Sequence, residues 1–469
     1  MLRHVAETIR RAFSEFLTIP TAVIGGFLLV AVVTYFLDQG HIADKRPDSG
    51  LLNGILFSDP QSVGELLGVI AASIITLTSI TFALLLVAVQ QGAAALTSQV
   101  FDQFLRRSAN QFYFGFFIGL ALYSLIILAT SSPSHTPVYG AAVAFLMTIV
   151  TLYLLILLIY TTIDQMRPVM IIQAIRDYTL AAREGQLNLL KNTRRSSRSS
   201  APTAVAAIAD RSGFLVRVDI AAIAKATART PRDVEIIVLA SIGDYVTIHD
   251  VIAEIKADVA EDASALEQAV RTALVLEEQR DLGTDPAFGI EQLLTIGWTS
   301  VSTAKSNPQP GMLVCQNLRQ ILAHWFNPGD QAVTGGESDG IEPPPPVVYV
   351  DNVPGEMIKA FESLAVVASE SMQHQTLAEI LRTFAMMFRH LPPDLQDRAE
   401  DMLLRSLSAL GDHVLTSELD EMLSQMVAAL TAAGRTGSAS AIRDAQQRLG
   451  TSIGRLNSRA TRAARDSND

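Results

Sequence analysis

Four long apolar runs in the first third of the chain restrict its fold more than any other feature of the sequence. They cover residues 16–37, 66–90, 112–131 and 138–163. Each is long enough for a helix to cross a hydrocarbon core about 30 Å thick, and a segment in lipid must satisfy its own backbone hydrogen bonds. We therefore predict a mainly α-helical membrane protein with four transmembrane helices, in a domain that covers residues 1–190.

The positively charged residues beside these runs predict the orientation of the spans. Arginines lie before the first span, after the second and after the fourth: Arg3, Arg10, Arg11, Arg106, Arg107, Arg167, Arg176 and Arg183. The loop after the first span carries only Lys45 and Arg46 among aspartates, and the loop after the third carries no lysine or arginine. The positive-inside rule places both termini and the large C-terminal part in the cytoplasm.

A stripe of hydroxyl and amide side chains follows one side of the second span. At about 100° per residue, its members share one sector or its margin. They are Ser73, Thr76, Ser79, Gln90, Gln91 and Thr97, whereas Thr78 and Thr81 break the pattern. An unpaired polar group in hydrocarbon is costly, so the stripe must face protein or water. Two interpretations stay open, a packing seam between helices and the lining of a pore formed by several copies.

Three charged residues, Asp102, Arg106 and Arg107, follow the stripe. In an oligomer they would form a charged ring at the cytoplasmic end of the second span, and in a single chain they would be ordinary anchors at the membrane interface. No span carries Asp, Glu, Lys or Arg near its centre. This pattern disfavours a proton relay or a charged-substrate site at the middle of the membrane.

Two pairs of glycines have the spacing that allows close approach of helix backbones. They are Gly64 with Gly68 and Gly115 with Gly119. Each pair presents two small residues on one helix face, so both predict helix–helix contacts in the membrane.

The order of residues through the second and third spans resembles a known family. Residues 68–128 read GVIAASIITLTSITFALLLVAVQQGAAALTSQVFDQFLRRSANQFYFGFFIGLALYSLIIL. This Ser- and Thr-rich span, followed by an Arg-bearing turn and a Gly- and Phe-rich span, is similar to the bacterial membrane proteins grouped as domain of unknown function 2254. Three later blocks extend the resemblance to about residues 1–330: RSGFLVRVDIAAIAKAT, IGDYVTIHDVIAEI and QRDLGTDPAFGIEQLLTIGWTSVSTAKSNP. The resemblance implies a protein of the bacterial inner membrane with a cytoplasmic domain, and it supplies no activity.

The last of these blocks departs from the family pattern at two aspartates. The family has Asp before Ile-Ala and an ending Ser-Pro-x-x-Asn-Asp-Pro. This chain has Thr295 before Ile296-Gly297, and then Ser302, Thr303, Ser306, Asn307 and Pro308. If the family carboxylates bind a cation or act in chemistry, this chain lacks that function. If they hold a turn, Ser and Asn can still cap it.

The remainder of the chain has the composition of soluble protein and divides into five predicted parts. They are a basic, Ser-rich linker at 191–210, a cytoplasmic α/β module at 211–325, a flexible loop at 326–346, a helical region at 347–458 and a tail at 459–469. The loop is rich in Gly, Pro and acidic residues, and the helical region has apolar residues at helical spacing.

The α/β module resembles a barrel-sandwich fold of the lipoyl or biotinyl type. Two β-type runs flank Gly243-Asp244, but no lysine stands at the hairpin tip that would carry such a cofactor. We expect a structural module without a cofactor. A helix is predicted over 259–282 with Leu274 on its apolar face, and a second helix begins near Asp285 because Pro286 suits a first helical position.

The sequence shows no motif for cofactor or metal binding. The eight histidines lack metal-ligand spacing, and no Cys-x-x-Cys or phosphate-loop pattern occurs. Cys315 is the single cysteine and is expected to be a small core residue. The formal net charge of −11 argues against nucleic acid as a partner. We expect no enzyme activity, no cofactor and no metal site.

Two functional hypotheses follow. The first is a homo-oligomer in the lipid bilayer, channel-like or transport-related, whose second span lines the axis. The second is a membrane-anchored scaffold or regulatory protein whose cytoplasmic domain binds a partner protein and whose polar stripe is a packing seam.

Overall fold

The computed structural model describes residues 17–40, 60–95, 108–132, 137–165, 167–229, 234–302, 307–326, 345–410 and 414–451. It divides into two compact units, Met1–Ile171 and Ile172–Asp469. The predicted loop at 326–346 and tail at 459–469 lie almost wholly or wholly outside the described residues.

The first unit contains four long helices. They are α1 (Thr18–Gly40), α2 (Pro60–Ala95), α3 (Ser108–Thr130) and α4 (Val138–Gln165). Among the described residues, these four helices are long and apolar enough to cross a membrane. The prediction of four spans is therefore confirmed. Helix α2 extends beyond the predicted run at both ends, because Pro60 suits a first helical position and the polar residues after it continue the helix.

Helix α3 is the most buried of the four and packs closely on α1. A Cβ atom at Gly115 would lie 2.7 Å from the Cα of Pro20, and one at Gly119 would overlap the ring of Phe27. The predicted contact at this glycine pair is thus confirmed. In the other predicted pair, a built Cβ at Gly64 lies at an ordinary contact distance of 3.8 Å from Leu128 Cδ1, and one at Gly68 has no described atom within 4 Å, so this pair shows no such close approach among the described residues.

The boundary between the two units falls in the first turn of helix α5 (Pro168–Lys191). This helix is amphipathic: Ile172, Ile175, Thr179 and Ala182 are buried and recur at helical spacing. Its other face carries exposed residues such as Asp177 and Glu184.

Two small sheets follow α5. The strands are β1 (Thr203–Ile208), β2 (Gly213–Val218), β3 (Val234–Val238), β4 (Tyr245–Val246), β5 (Val251–Ala257), β6 (Leu274–Glu277) and β7 (Val347–Tyr349). One sheet has the order β1-β5-β3-β7 and the other β4-β2-β6. Strand β3 pairs antiparallel with β5, placing Ile236 opposite Ile255, and parallel with β7, placing Ile237 opposite Val348. Helices α6 (Ile220–Thr227) and α7 (Ala260–Ala273) share one apolar core with the strands.

The remaining elements are helices. They are α8 (Pro286–Val301), α9 (Pro308–Trp325), α10 (Val353–Glu370), α11 (His374–Met387), a 3₁₀ turn (Phe388–His390), α12 (Pro393–Leu410), α13 (Ser417–Ala432) and α14 (Thr436–Thr451). The buried rings of Phe361 in α10 and Phe384 in α11 pack edge to face, with 5.2 Å between their centroids. Gly297 of α8 packs against Leu364 and Val314, so α8 and α9 join the later helices.

The structure differs from the sequence expectations at several places. Strand β1 begins inside the predicted linker, and β7 belongs to the sheet although its residues were assigned to the helical region. The helix predicted over 259–282 ends at Ala273, and Leu274 begins β6, because alternating burial against β2 replaces the helical spacing there.

Candidate functional site in the membrane domain

Helix α2 has one face that packs against its own chain. Its buried residues recur three, four or seven positions apart and contact α3 and α4: Val63, Leu67, Ile70, Ile74, Thr81 and Leu85. This spacing is that of a single helical stripe. The hydroxyl of Thr81, which broke the sequence pattern, belongs to this packed face.

The polar stripe lies on the other side of α2. Ser73, Thr76, Ser79 and Gln90 are all exposed. At about 100° per residue, Thr76 is turned well away from the buried Ile74. Packing among the described residues of one chain therefore leaves the stripe uncovered. A packing seam of these residues would need a partner from outside that set, such as a second molecule.

Two hydroxyl groups of the stripe, those of Thr76 and Ser79, donate to carbonyl oxygens of their own helix. Thr76 Oγ1 donates to the carbonyl oxygen of Ala72 at 2.8 Å, and Ser79 Oγ donates to that of Ile75 at 2.9 Å. This back-bonding uses the hydroxyl proton and leaves the oxygen lone pairs directed outward. The stripe can accept hydrogen bonds from water or coordinate a cation weakly, and it carries no formal charge.

Other predicted site residues lie beyond what the structure describes. The side chain of Gln91 and the whole of Thr97 fall outside the described residues. The same holds for the predicted charged ring of Asp102, Arg106 and Arg107. The ring and this part of the stripe stay predictions.

A buried polar cluster at the far end of α1 was missed by sequence reasoning. The carboxylate of Asp38 accepts hydrogen bonds from the backbone N–H groups of Tyr139 at 2.9 Å and Gly140 at 3.1 Å, so it caps the start of α4. The hydroxyl of Tyr123 donates to the carbonyl oxygen of Gly140 at 3.0 Å and lies 3.3 Å from that of Thr34. The sequence signal was an aspartate at the end of an apolar run, which resembles an ordinary loop acid.

The second unit holds partly or fully buried carboxylates in ion pairs, and two of these pairs, Arg183–Asp351 and Arg319–Glu379, join different elements. Arg183 of α5 holds Asp351 through two bonds of 2.8 and 2.6 Å and stacks over Trp325. Glu379 lies 2.8 Å from both Arg319 and Arg382. These pairs join α5, α9 and α11 to their neighbours, and we assign them a structural role.

The junction before α8 contains a similar pair. Asp285 caps α8 by accepting from Phe288 N at 3.0 Å and binds Arg280 at 2.7 Å. Burial raises the pKa of Asp285, although Arg280 acts in the opposite direction. Gly243, with φ of +97°, lies against this pair, and a Cβ there would stand 2.6 Å from Asp285 Oδ2. Only glycine fits both the backbone angle and the space.

The residues that depart from the family pattern do not form a polar cluster in the described part of the chain. Thr295 is exposed on α8 and donates to the carbonyl oxygen of Glu291 at 2.9 Å. Asn307 precedes α9 without a side-chain capping bond, and its backbone N–H donates to Ser300 O at 3.0 Å. Thr303 and Ser306 lie outside the described residues.

Two observations on the described residues concern metal binding and nucleophilic chemistry. The described residues contain no group of three His, Cys, Asp or Glu that could hold a metal ion. Cys315 is fully buried, and burial raises the pKa of its thiol well above the ordinary range. Such a thiol is not an activated nucleophile.

Comparison with known proteins decides the family. The family model described as "Predicted membrane protein (DUF2254)" matches residues 14–340, well over half of the chain. The chain belongs to the DUF2254 family. Its four apolar helices and this membership together make it a multi-pass membrane protein. The DUF2254 match covers α1 to α9, so α10 to α14 and the strand β7 follow the matched region. No curated protein and no solved structure matches the chain.

Proposed function

We propose that this DUF2254 protein forms a homo-oligomer in the bacterial inner membrane, with both termini in the cytoplasm, and that α2 lines a central water-filled path. The observation that carries the proposal is the exposed polar face of α2. Ser73, Thr76 and Ser79 point away from a helix face that is already packed on α3 and α4. The soluble half would assemble or gate this path.

The chemistry of the stripe suits a weakly selective conduit. A hydroxyl group that donates its hydrogen bond to the helix backbone keeps oxygen lone pairs, and these can replace part of the water around a small ion or polar solute. The described part of the stripe has no charged side chain to hold one ion tightly. We include no catalytic step, cofactor or nucleic-acid partner in this proposal.

The scaffold hypothesis has its own support in the second unit. Trp298 is 52% exposed and Met386 is 56% exposed, and large apolar side chains on a surface often mark protein contacts. The helices α10 to α14 also follow the region matched by the family model. In this alternative, the membrane unit anchors the chain and the soluble helices bind a partner protein.

Ion flux across the membrane of liposomes that contain the purified full chain distinguishes the conduit from the scaffold. Thr76→Val with Ser79→Ala removes two hydroxyls while nearly keeping shape, and Ile75→Val with Ile80→Val is the matched control on exposed neighbours. We expect about a tenfold fall in flux for the first variant and little change for the second. The oligomer mass is measured in the same preparation. An intact oligomer that passes no ion under any voltage or tension would favour the scaffold.

A further inference from the structure

The segment between α5 and β1 is folded onto a buried carboxylate. Glu235 of β3 is 1% exposed. It accepts hydrogen bonds from the backbone N–H groups of Arg198 at 2.9 Å and Ser199 at 3.2 Å, and from the Arg194 guanidinium at 3.3 Å. The hydroxyl of Ser197 donates to the same carboxylate. The Ser-rich stretch that the sequence predicted as a linker is therefore anchored to the sheet.

Glu235 is charged in this arrangement. Burial by itself would raise the pKa of Glu235, but the hydrogen bonds from Arg198, Ser197, Ser199 and Arg194 outweigh it and hold that pKa below its ordinary value. Lys256 stands opposite Glu235 on β5, and its Nζ donates to Ser197 Oγ at 3.0 Å. The hydroxyl of Ser197 thus lies between a carboxylate and an ammonium group.

Ser197 is also open to a modifying enzyme. The residue is exposed, and Arg194, Arg195 and Arg198 flank it in the sequence. A kinase with an acidic substrate groove selects such a serine through complementary charge. The neighbouring Ser196 is exposed too, but none of the hydrogen bonds to Glu235 comes from it.

We propose that Ser197 is a phosphorylation site and that its phosphate releases residues 195–199 from Glu235. A serine kinase that uses ATP supplies the phosphoryl group. The Ser197 oxygen attacks the γ-phosphorus, an O–P bond forms as the bond to the ADP oxygen breaks, and the hydroxyl proton passes to the base of the kinase.

The release follows from charge. A phosphoserine carries close to two negative charges and has no hydroxyl proton to donate, so it cannot occupy the place of the Ser197 hydroxyl beside an ionised, buried Glu235. The flanking arginines, which move with the segment, can pair with the phosphate once the segment has left the sheet. Phosphorylation therefore converts an anchored connection between α5 and β1 into a detached one.

The first test is chemical. The full-length protein is purified from membranes of its own cells, in growth and in stationary phase, and phosphopeptides that cover residues 195–200 are mapped by tandem mass spectrometry. We expect phosphate on Ser197. Recovery of Ser197 only in its unmodified form from both preparations would overturn the proposal.

The second test concerns the release. Hydrogen exchange of the backbone amides of Arg198 and Ser199 is compared in full-length S197E, S197A and S196E. We expect exchange at least about tenfold faster than wild type in S197E, and within about twofold of wild type in the other two. S197A separates the added charge from the lost hydroxyl, and S196E is the matched control for charge at a neighbouring serine. Equal exchange in S197E and either other variant contradicts release by the phosphate.

Discussion

The two units of the molecule differ in where the partners of their polar side chains lie. On α2 in the membrane unit, the hydroxyls of Thr76 and Ser79 bond one turn back to their own helix and stay on an exposed face. In the second unit, the carboxylates of Glu235 and Glu379 are buried, and each forms an ion pair with an arginine from another segment, Arg194 and Arg319 respectively. Polar groups satisfied within one helix leave its face available to another molecule. Groups paired across elements fix the packing of the chain itself.

Asp38 is an exception in the membrane unit, because its side chain bonds to another helix. It is a buried carboxylate in the membrane unit, 7% exposed, and it accepts hydrogen bonds from the backbone N–H groups of Tyr139 and Gly140 in α4. A helix N-terminus carries a partial positive charge, so it can hold a carboxylate where an arginine would itself need solvation. Even here the polar contact serves packing within the chain.

The largest expected effect is at Glu379, because its removal takes the ion-pair partner from Arg319 and one of two carboxylate partners from Arg382. We expect E379A to lower the free energy of unfolding by about 3 kcal/mol. Urea unfolding of the full chain in detergent measures this difference in the free energy of unfolding. E418A removes an exposed partner of the same Arg382, at 3.1 Å, and should cost about 0.5 kcal/mol. Equal losses for the two variants would show that burial of Glu379 carries no special energetic weight.

The membrane unit has its own test of packing at Gly119. Valine there would overlap the Phe27 ring, so we expect G119V to destabilise the protein by about 2 kcal/mol in thermal unfolding. G68A is the control, since no atom lies within 4 Å of the added Cβ, and it should stabilise the helix by about 0.5 kcal/mol. A destabilising G68A would mean that this face is covered by another copy.

The cap at Asp38 should contribute less to the free energy of unfolding than the packing at Gly119. D38L removes both acceptors for the first amides of α4, and we expect a loss of about 1.5 kcal/mol with faster hydrogen exchange at Tyr139 and Gly140. D38N keeps one oxygen acceptor and should show about half of the effect. Q39L, at the exposed neighbour, is the control. Unchanged exchange in D38L would contradict the capping role.

The smallest effect is a pH dependence at Glu235. Its pKa is below the ordinary value of 4.5 in the folded chain, so the unfolded chain binds the proton more readily. The stabilisation is complete above pH about 4.5 and is lost as the pH falls through the lowered folded pKa. E235Q should therefore lose less stability than wild type between pH 5 and 3, measured by urea unfolding. Parallel curves for the two proteins would contradict this assignment.

Local features of the sequence predicted local features of the structure. The four spans follow from apolar length, because bilayer thickness fixes the number of residues a helix needs. The start of α8 follows from Asp285 and Pro286, and both occupy the expected capping positions. The contact at Gly115 and Gly119 follows from their spacing.

Long-range partners could not be predicted in the same way. Strand β7 pairs with β3 across more than a hundred residues, and a three-residue Val-rich run does not indicate its partner. Asp38 and Glu235 looked like ordinary acids, because their burial depends on segments distant in sequence. The stripe on α2 was visible as a pattern, but only the packed positions of Ile74 and Leu85 show which side of the helix the chain leaves uncovered.

Disulfide cross-linking between copies in intact membranes tests whether the polar faces of α2 meet at a shared axis. Cys315 is fully buried, so single cysteines can be introduced by T76C and S79C on the stripe and by I156C on an exposed part of α4. If α2 lines a shared axis, T76C and S79C give cross-linked dimers after mild oxidation, and I156C gives far fewer. Dimers with I156C and none with the two stripe variants would contradict a shared polar axis formed by α2.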